Sequence, residues 1–135
     1  MIRPTPDMAQ TFLIADDSDG KRTFLKSILK HVKWDGEILE AATTEEAIAV
    51  IGREKKIDAA FIDYEIPSQN GPAIIRELRA KFPAAHIALV TSADSKRYKD
   101  DATGAGADAF ICTSWAEDRL IKALMDLLNQ WQVEL

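Results

Sequence analysis

Three aspartates directly follow short apolar runs in the sequence. Asp16 and Asp17 come after the run TFLIA, and Asp63 comes after the run AAFI. A further run, HIALV, is followed by Thr91, which adds a hydroxyl group. If these runs are neighbouring parallel strands, their carboxyl ends meet at one edge of the sheet, and the three carboxylates converge on one crevice. Carboxylates this close repel one another, so the pattern predicts a bound cation.

Magnesium is the cation that best suits such a crevice. It prefers oxygen ligands, accepts one or two carboxylates together with a carbonyl, and keeps several of its waters. A second interpretation treats Asp16 and Asp17 as helix caps and Asp63 as a polar loop residue. One aspartate so placed would be ordinary, whereas three at adjacent strand ends favour a shared site. A flavin-nucleotide site is disfavoured, because the acidic loop DDSD would repel a phosphate group.

Apolar runs of strand length alternate with helical patterns along the chain. The runs are TFLIA (11–15), EILEAA (37–42), AAFI (59–62), HIALV (86–90) and AFIC (109–112). Most of them lack polar alternation, as strands covered on both faces do. This alternation predicts an α/β fold of the flavodoxin-like type, a doubly wound five-stranded parallel sheet in the order 2-1-3-4-5 with five helices.

The helical patterns differ in strength. The last one is the clearest, because apolar residues recur at spacings of three and four on one face: Leu120, Ile121, Leu124, Leu127, Leu128 and Trp131. The segment SKRYKDDATGAGA (95–107) is the weakest, since it is polar and contains two glycines. We expect it to form a marginal, mobile fourth helix, and switching elements are often drawn from segments of low stability.

Length and composition fit one small domain. The chain has 135 residues, of which 47% are hydrophobic, a net charge of −5 and a single cysteine, Cys112. This cysteine is expected in the core, and His31 and His86 at the surface. The negative charge disfavours direct binding to nucleic acid. Because no apolar stretch is long enough for a membrane span and the N-terminus lacks a signal-peptide pattern, we expect a cytoplasmic protein without membrane contact.

Together these motifs resemble those of a response-regulator receiver domain, the phospho-acceptor half of two-component signalling. The matching features are the pair Asp16-Asp17, the segment DYEIPSQNG with Asp63, Pro67 and Gly71 at the family spacing, Thr91, and GAGADAF leading into the fifth strand. The resemblance covers residues 11–131, which leaves 1–10 as a flexible N-terminal extension and 132–135 as a C-terminal tail. We expect a homodimer or an effector to dock on the fourth helix, fifth strand and last helix.

The resemblance also implies a partner and a role for each residue of the site. A histidine kinase or a phosphotransfer protein donates a histidine-bound phosphoryl group, which Asp63 accepts. Asp17, Asp63 and the backbone carbonyl of Glu65 hold magnesium, and Asp16 acts mainly through a metal-bound water. Thr91 supplies the hydroxyl of the family site. Such a protein is a signalling module and not an enzyme.

Two other functions stay open. The fold could serve as a pseudo-receiver, a protein-interaction module that works independently of phosphorylation. It could also be a small phosphatase of the haloacid-dehalogenase type, for which Asp17 and Asp19 have the required spacing, although Asp63 is then unexplained. The clustered carboxylates favour a phospho-acceptor, since a module without phosphoryl chemistry has no physical need of them.

The family lysine and the proline after it are missing, and Thr113 and Ser114 stand in their places. Threonine carries no charge and reaches several ångströms less, so at best it contacts a phosphoryl group through a water. With three aspartates and no cation, a formal site charge of −3 and altered switching are expected. Another cation could compensate, and two pairs are candidates: Lys21 and Arg22 after the first strand, or Lys96 and Arg97 after the fourth.

Overall fold

Five parallel strands form one sheet in the computed structural model, which describes residues 10–135. The strands are β1 (Gln10–Ala15), β2 (Gly36–Ala41), β3 (Ala59–Ile62), β4 (His86–Thr91) and β5 (Ala109–Cys112). Their order in the sheet is β2-β1-β3-β4-β5, and each neighbouring pair is parallel. The predicted flavodoxin-like topology, in which the strand order reverses beside β1, is confirmed.

Within residues 10–135, five helices cover the two faces of this sheet. They are α1 (Asp19–His31), α2 (Thr44–Arg53), α3 (Gly71–Lys81), α4 (Lys96–Ala105) and α5 (Glu117–Glu134). In the first four helices a capping side chain accepts a hydrogen bond from a backbone N–H of the first turn: Ser18, Thr43, Asn70 and Ser95. α5 begins instead with two acidic residues, Glu117 and Asp118, which suit the positive end of the helix dipole.

Each face of the sheet has its own hydrophobic core. On one face, α1 and α5 pack against Phe12 and Phe61, with Trp34 and Trp131 in the same cluster. On the other face, α2 and α3 pack around Leu13 and its neighbours. Successive residues of β1 thus enter opposite cores, which is why this strand lacks polar alternation. The apolar face predicted for the last helix supplies the buried residues of α5: Leu120, Leu124, Leu128 and Trp131.

The weakly predicted fourth helix is regular and has defined ends. Ser95 caps its N-terminus, and Gly106 ends it in the left-handed region with a φ of 115°. The guanidinium of Arg79 in α3 donates to the Gly106 carbonyl through Nε at 3.1 Å and Nη2 at 2.6 Å. The buried residues of α4 are two small ones, Ala102 and Ala105. α4 therefore adds little to the core, and its mobility stays a prediction.

The ends of the domain differ from the predicted boundaries. Of the predicted extension 1–10, residues 1–9 lie outside the described residues, and Gln10 belongs to β1. At the other end α5 continues to Glu134, past the boundary predicted at residue 131. Helices in the part of the chain that the structure describes are too short or too polar to cross a bilayer.

The two histidines and the cysteine occupy different environments. His31 is exposed and Cys112 is fully buried, as predicted. The surface position predicted for His86 is wrong, because its ring stacks on Trp131 with 5.4 Å between centroids and its side chain is 18% exposed. Its Nδ1 lies 3.6 Å from a carboxylate oxygen of Glu134. His86 therefore contacts the end of α5 at the amino end of β4, whereas the acidic crevice lies at the carboxyl ends of the strands.

Candidate functional site

The carboxyl ends of β1, β3 and β4 open onto a crevice of about 320 Å³. The sheet register determines which residues meet there. Ala15 of β1 pairs with Ile62 of β3, so the residues that follow them, Asp16 and Asp63, are neighbours. The backbone N–H of Asp63 donates to the Ala15 carbonyl at 2.9 Å, which fixes the start of the loop after β3. The crevice is lined by Asp16, Asp17, Ser18, Lys21, Asp63, Glu65, Thr91 and Ser92.

The three aspartates predicted for the site come together in this crevice. Carboxylate oxygens of Asp16, Asp17 and Asp63 lie within 4.8 Å of one another. Asp16 and Asp63 are only 1% and 8% exposed, whereas Asp17 is exposed. Asp16 Oδ1 accepts the backbone N–H of Ser18 at 2.9 Å. Thr91, at the end of β4, is buried and completes the predicted set.

The ammonium group of Lys21 lies among these carboxylates. Its Nζ is 2.8 Å from Asp16 Oδ2 and 3.2 Å from Asp63 Oδ1, and it donates to the Val90 carbonyl at 2.8 Å. The lysine side chain is only 15% exposed. Three carboxylates and one ammonium give the site a formal charge of −2, so the expected charge of −3 is wrong. Lys21 was one of the candidate cations, and it is the one that reaches the crevice.

The other candidate cations are engaged elsewhere. Arg22 does not line the crevice: it pairs with Asp19 and with Glu40 of β2, and its Nη1 donates to the backbone carbonyl of Asp16 at 2.6 Å. Lys96 and Arg97 form exposed pairs with acidic residues one turn further along α4. Sequence spacing alone could not separate these four residues, because the separation depends on how the first turn of α1 sits over the strand ends.

Burial is the largest influence on the Asp63 carboxylate, and it raises the pKa of this group to about 6. The ammonium of Lys21 acts in the opposite direction and lowers this pKa, while the charges of Asp16 and Asp17 raise it. At neutral pH Asp63 is therefore mostly ionised but held in an unfavourable environment. A carboxylate in this state gains from binding a cation, and it can act as a nucleophile.

The donor set fits a hard divalent cation. Three carboxylates offer oxygen ligands at one point, which is the chemistry that magnesium prefers. Asp16 Oδ2 is buried and accepts no hydrogen bond within residues 10–135. It does form an ion pair with Lys21. The exposed Asp17 has no hydrogen-bond or ion-pair partner in the same range. A net negative charge therefore remains for a cation to neutralise.

Thr113 does not line the crevice. Its backbone N–H donates to the Thr91 carbonyl at 2.8 Å, which continues the pairing of β4 with β5. Ser114, at the position of the family proline, donates from Oγ to the Ser92 carbonyl at 2.5 Å. The loop after β5 is thus tied to the loop after β4 by hydrogen bonds, which include one from Trp115 Nε1 to Asp94 at 3.4 Å, and not by a charged side chain of residue 113.

A pair of stacked tyrosines connects the loop after β3 with α4, and no sequence pattern indicated it. The rings of Tyr64 and Tyr98 are parallel within 5°, with 3.6 Å between centroids. The Tyr64 hydroxyl donates to Asp101 at 2.8 Å, and the Tyr98 hydroxyl donates to Glu65 Oε1 at 2.5 Å. These bonds to carboxylates raise the pKa of both tyrosines. The two residues are distant in sequence, so no local spacing indicated their contact.

The family model described as the response regulator receiver domain matches residues 12–125. The chain belongs to this family. The match begins in β1 and ends within α5, so it includes the sheet apart from the first two residues of β1, and all the crevice residues.

Individual relatives are distant in sequence but cover most of the receiver domain. Chemotaxis protein CheY from Halobacterium salinarum is 27% identical over 122 residues, which are 90% of this chain and 99% of that protein. Transcriptional regulatory protein CitT from Bacillus subtilis is 26% identical over 112 residues, and the chain spans about half of its length (49%). The crystal structure of a CheY-like receiver domain protein from Methanospirillum hungatei has a TM-score of 0.75 and 25% identity, and the alignment covers 93% of this chain and 98% of that one.

Proposed function

We propose that this receiver domain accepts a phosphoryl group on Asp63 from a phosphohistidine of a histidine kinase or a phosphotransfer protein. The observation that carries the proposal is the environment of Asp63, a buried carboxylate beside two further aspartates at an open strand edge. Its Oδ1 faces Lys21, and its Oδ2 accepts no hydrogen bond within residues 10–135. This second oxygen is therefore available to attack a phosphorus atom.

The proposed transfer exchanges one bond for another. An oxygen of Asp63 attacks the phosphorus, an O–P bond forms, and the P–N bond to the donor histidine breaks with its electron pair left on the ring nitrogen. That nitrogen is protonated by solvent, which returns the donor to its neutral form. Phosphoryl transfer of this kind needs positioning and charge neutralisation more than covalent chemistry from the protein.

Magnesium would be held by Asp17, Asp63 and the backbone carbonyl of Glu65, with Asp16 acting through a metal-bound water. When bound, the ion neutralises charge on the phosphoryl oxygens and on the attacking carboxylate. The unpartnered carboxylate of Asp17 and the net charge of the crevice support this assignment. Thr91 would add a hydroxyl from the end of β4.

We propose the face formed by α4, β5 and α5 as the docking surface for a second copy or an effector. Phe110 and Trp115 are half-buried there and meet edge to face, with 6.3 Å between ring centroids. The guanidinium of Arg119 lies 4.1 Å from the centre of the Trp115 ring. Partly exposed aromatic residues and arginine are common anchors of protein interfaces. The net charge of −5 disfavours direct binding to nucleic acid, and we propose a cytoplasmic protein without membrane contact.

A pseudo-receiver is the second candidate, and the hydrogen bond between Ser114 and the Ser92 carbonyl favours it. This bond already ties the two loops together without a phosphoryl group. In that case the same docking surface would bind its partner whether or not Asp63 is phosphorylated.

Incubation with magnesium and acetyl phosphate, followed by intact mass measurement, separates these functions. We expect the native protein to gain the mass of one phosphoryl group and the Asp63→Asn variant to gain none. The matched control is Asp35→Asn, since Asp35 is exposed and precedes β2 at the opposite edge of the sheet. An undiminished gain in Asp63→Asn would refute the site. No gain with any donor would support the pseudo-receiver, and donor turnover without an adduct would support a phosphatase.

A further inference from the structure

We infer that Lys21 is the cation that binds the phosphoryl group on Asp63, in place of the lysine that is absent at residue 113. The inference rests on the proposed function, because it assigns a partner to the phosphoryl group that Asp63 is proposed to carry. It differs from the family arrangement in one respect: the cation comes from the first turn of α1 and not from the loop after β5.

The position of the Lys21 ammonium supports this role. It lies 2.8–3.2 Å from three oxygens: it donates hydrogen bonds to Asp63 Oδ1 and to the Val90 carbonyl, and it forms an ion pair with Asp16 Oδ2. A lysine side chain that is only 15% exposed and contacts three oxygens belongs to the structure of the crevice and is not a solvated surface charge. The Ser18 cap reinforces the placement, because Ser18 Oγ accepts the backbone N–H of Lys21 at 3.1 Å.

The charge change on phosphorylation makes an ammonium at this place useful. A phosphoryl group replaces the single charge of a carboxylate by a charge of about −1.5 to −2. Lys21 already touches Asp63 Oδ1, so oxygens attached to Asp63 come within its reach without a large movement of the side chain. The Asp17 side of the crevice stays free for a metal, because Asp17 is not among the contacts of Lys21.

The competing explanation is that Lys21 merely balances charge in the absence of a metal and is displaced when magnesium binds. The two explanations differ in what happens when the ammonium is removed. If Lys21 only competes with the metal, its removal strengthens binding of both magnesium and a phosphoryl mimic. If Lys21 binds the phosphoryl group, its removal strengthens magnesium binding but weakens binding of the mimic.

Beryllofluoride, a mimic of the phosphoryl group, is a suitable probe for titrations in the presence of saturating magnesium. We expect Lys21→Met to weaken beryllofluoride binding by roughly tenfold to a hundredfold, the size expected for a lost charge-assisted hydrogen bond. Magnesium binding without the mimic should be unchanged or tighter. A general loss of folding would weaken the binding of both beryllofluoride and magnesium. Weaker beryllofluoride binding without weaker magnesium binding is therefore specific to the proposed role. The matched control is Lys30→Met, an exposed lysine of the same helix, which should behave like the native protein.

Rescue completes the test. Thr113 lies beside the end of β4, where its N–H donates to the Thr91 carbonyl, so a lysine at residue 113 has a short path to Asp63. Either Lys21→Arg or the double variant Lys21→Met/Thr113→Lys should recover beryllofluoride binding at least severalfold. Beryllofluoride binding within twofold of native in Lys21→Met would overturn the inference, and so would a loss that neither variant recovers. A native protein that binds no beryllofluoride at all would instead refute the proposed function.

Discussion

The aromatic core under α1 and α5 and the acidic crevice are built on the same strands but are buried for opposite energetic reasons. Phe12 of β1 and Phe61 of β3 meet edge to face at 4.7 Å, and Trp34 packs against Phe12 at 5.1 Å. A few residues further along these strands, Asp16 and Asp63 are almost as deeply buried. Burial of the rings stabilises the fold, whereas burial of like charges opposes folding.

This contrast explains what each region contributes. The core holds the strands in register, and the register then forces two carboxylates together at the strand ends. The crevice is tolerated because Lys21 offsets part of the repulsion. The remaining negative charge is the charge that the proposed magnesium ion would neutralise.

Phe12→Ala should cause the largest loss of stability. Removing a fully buried ring that contacts two other rings costs about 3–5 kcal/mol in comparable cores. Urea unfolding of the variant and the native protein measures the difference. A loss below about 1 kcal/mol would contradict the claim that burial in the aromatic core stabilises the fold, in contrast to burial in the acidic crevice.

Asp63→Asn should stabilise the protein in the absence of magnesium. The pKa of Asp63 is raised to about 6 from an ordinary 3.8, so its ionisation costs stability progressively as the pH rises through this window. The full cost is present above pH 6 and absent below pH 3.8. Allowing for solvent screening, the variant should gain about 1–2 kcal/mol at pH 8 and nothing near pH 3.5. Urea unfolding at both pH values checks the sign, and a variant that is less stable at pH 8 would contradict it.

Asp17→Asn should leave the metal-free protein as stable as before or slightly more stable, because Asp17 is exposed, makes no hydrogen bond or ion pair within residues 10–135, and repels the Asp63 carboxylate. The same variant should lose most of the stabilisation that magnesium provides. In the native protein that stabilisation is about 1.4 kcal/mol when magnesium is at ten times its Kd. Thermal unfolding with and without magnesium measures it. An equal magnesium response in both proteins would exclude Asp17 as a ligand.

Tyr98→Phe should have the smallest effect on stability. It removes the hydrogen bond to Glu65 but keeps the stacking on Tyr64. We expect no measurable change in urea unfolding, but amide hydrogen exchange in α4 should be faster, by at most about threefold. In the native protein, residues 92–108 should already be among the least protected. Strong protection there would contradict the mobility predicted for this segment.

The sequence was most informative where one local pattern determined the structure. Apolar runs alternating with helical patterns were enough to predict the strand order and to bring Asp16, Asp17 and Asp63 to the same end of the sheet. The sequence narrowed the cation of the crevice to four candidates but could not select Lys21. The selection depends on how far a long side chain reaches across the ends of β1 and β3. The stacking of Tyr64 on Tyr98 was missed because it joins segments distant in sequence.

Chemical trapping of the phosphorylated residue tests directly whether Asp63 is the phospho-acceptor. Borohydride reduces an aspartyl phosphate to homoserine, which peptide mapping by mass spectrometry then locates. After treatment with magnesium and acetyl phosphate, we predict homoserine at residue 63 of the native protein, and none when magnesium is removed by a chelator. Homoserine at residue 16 or 17 instead, or at no residue of a folded protein exposed to the donor, would contradict the assignment of Asp63 as the phospho-acceptor.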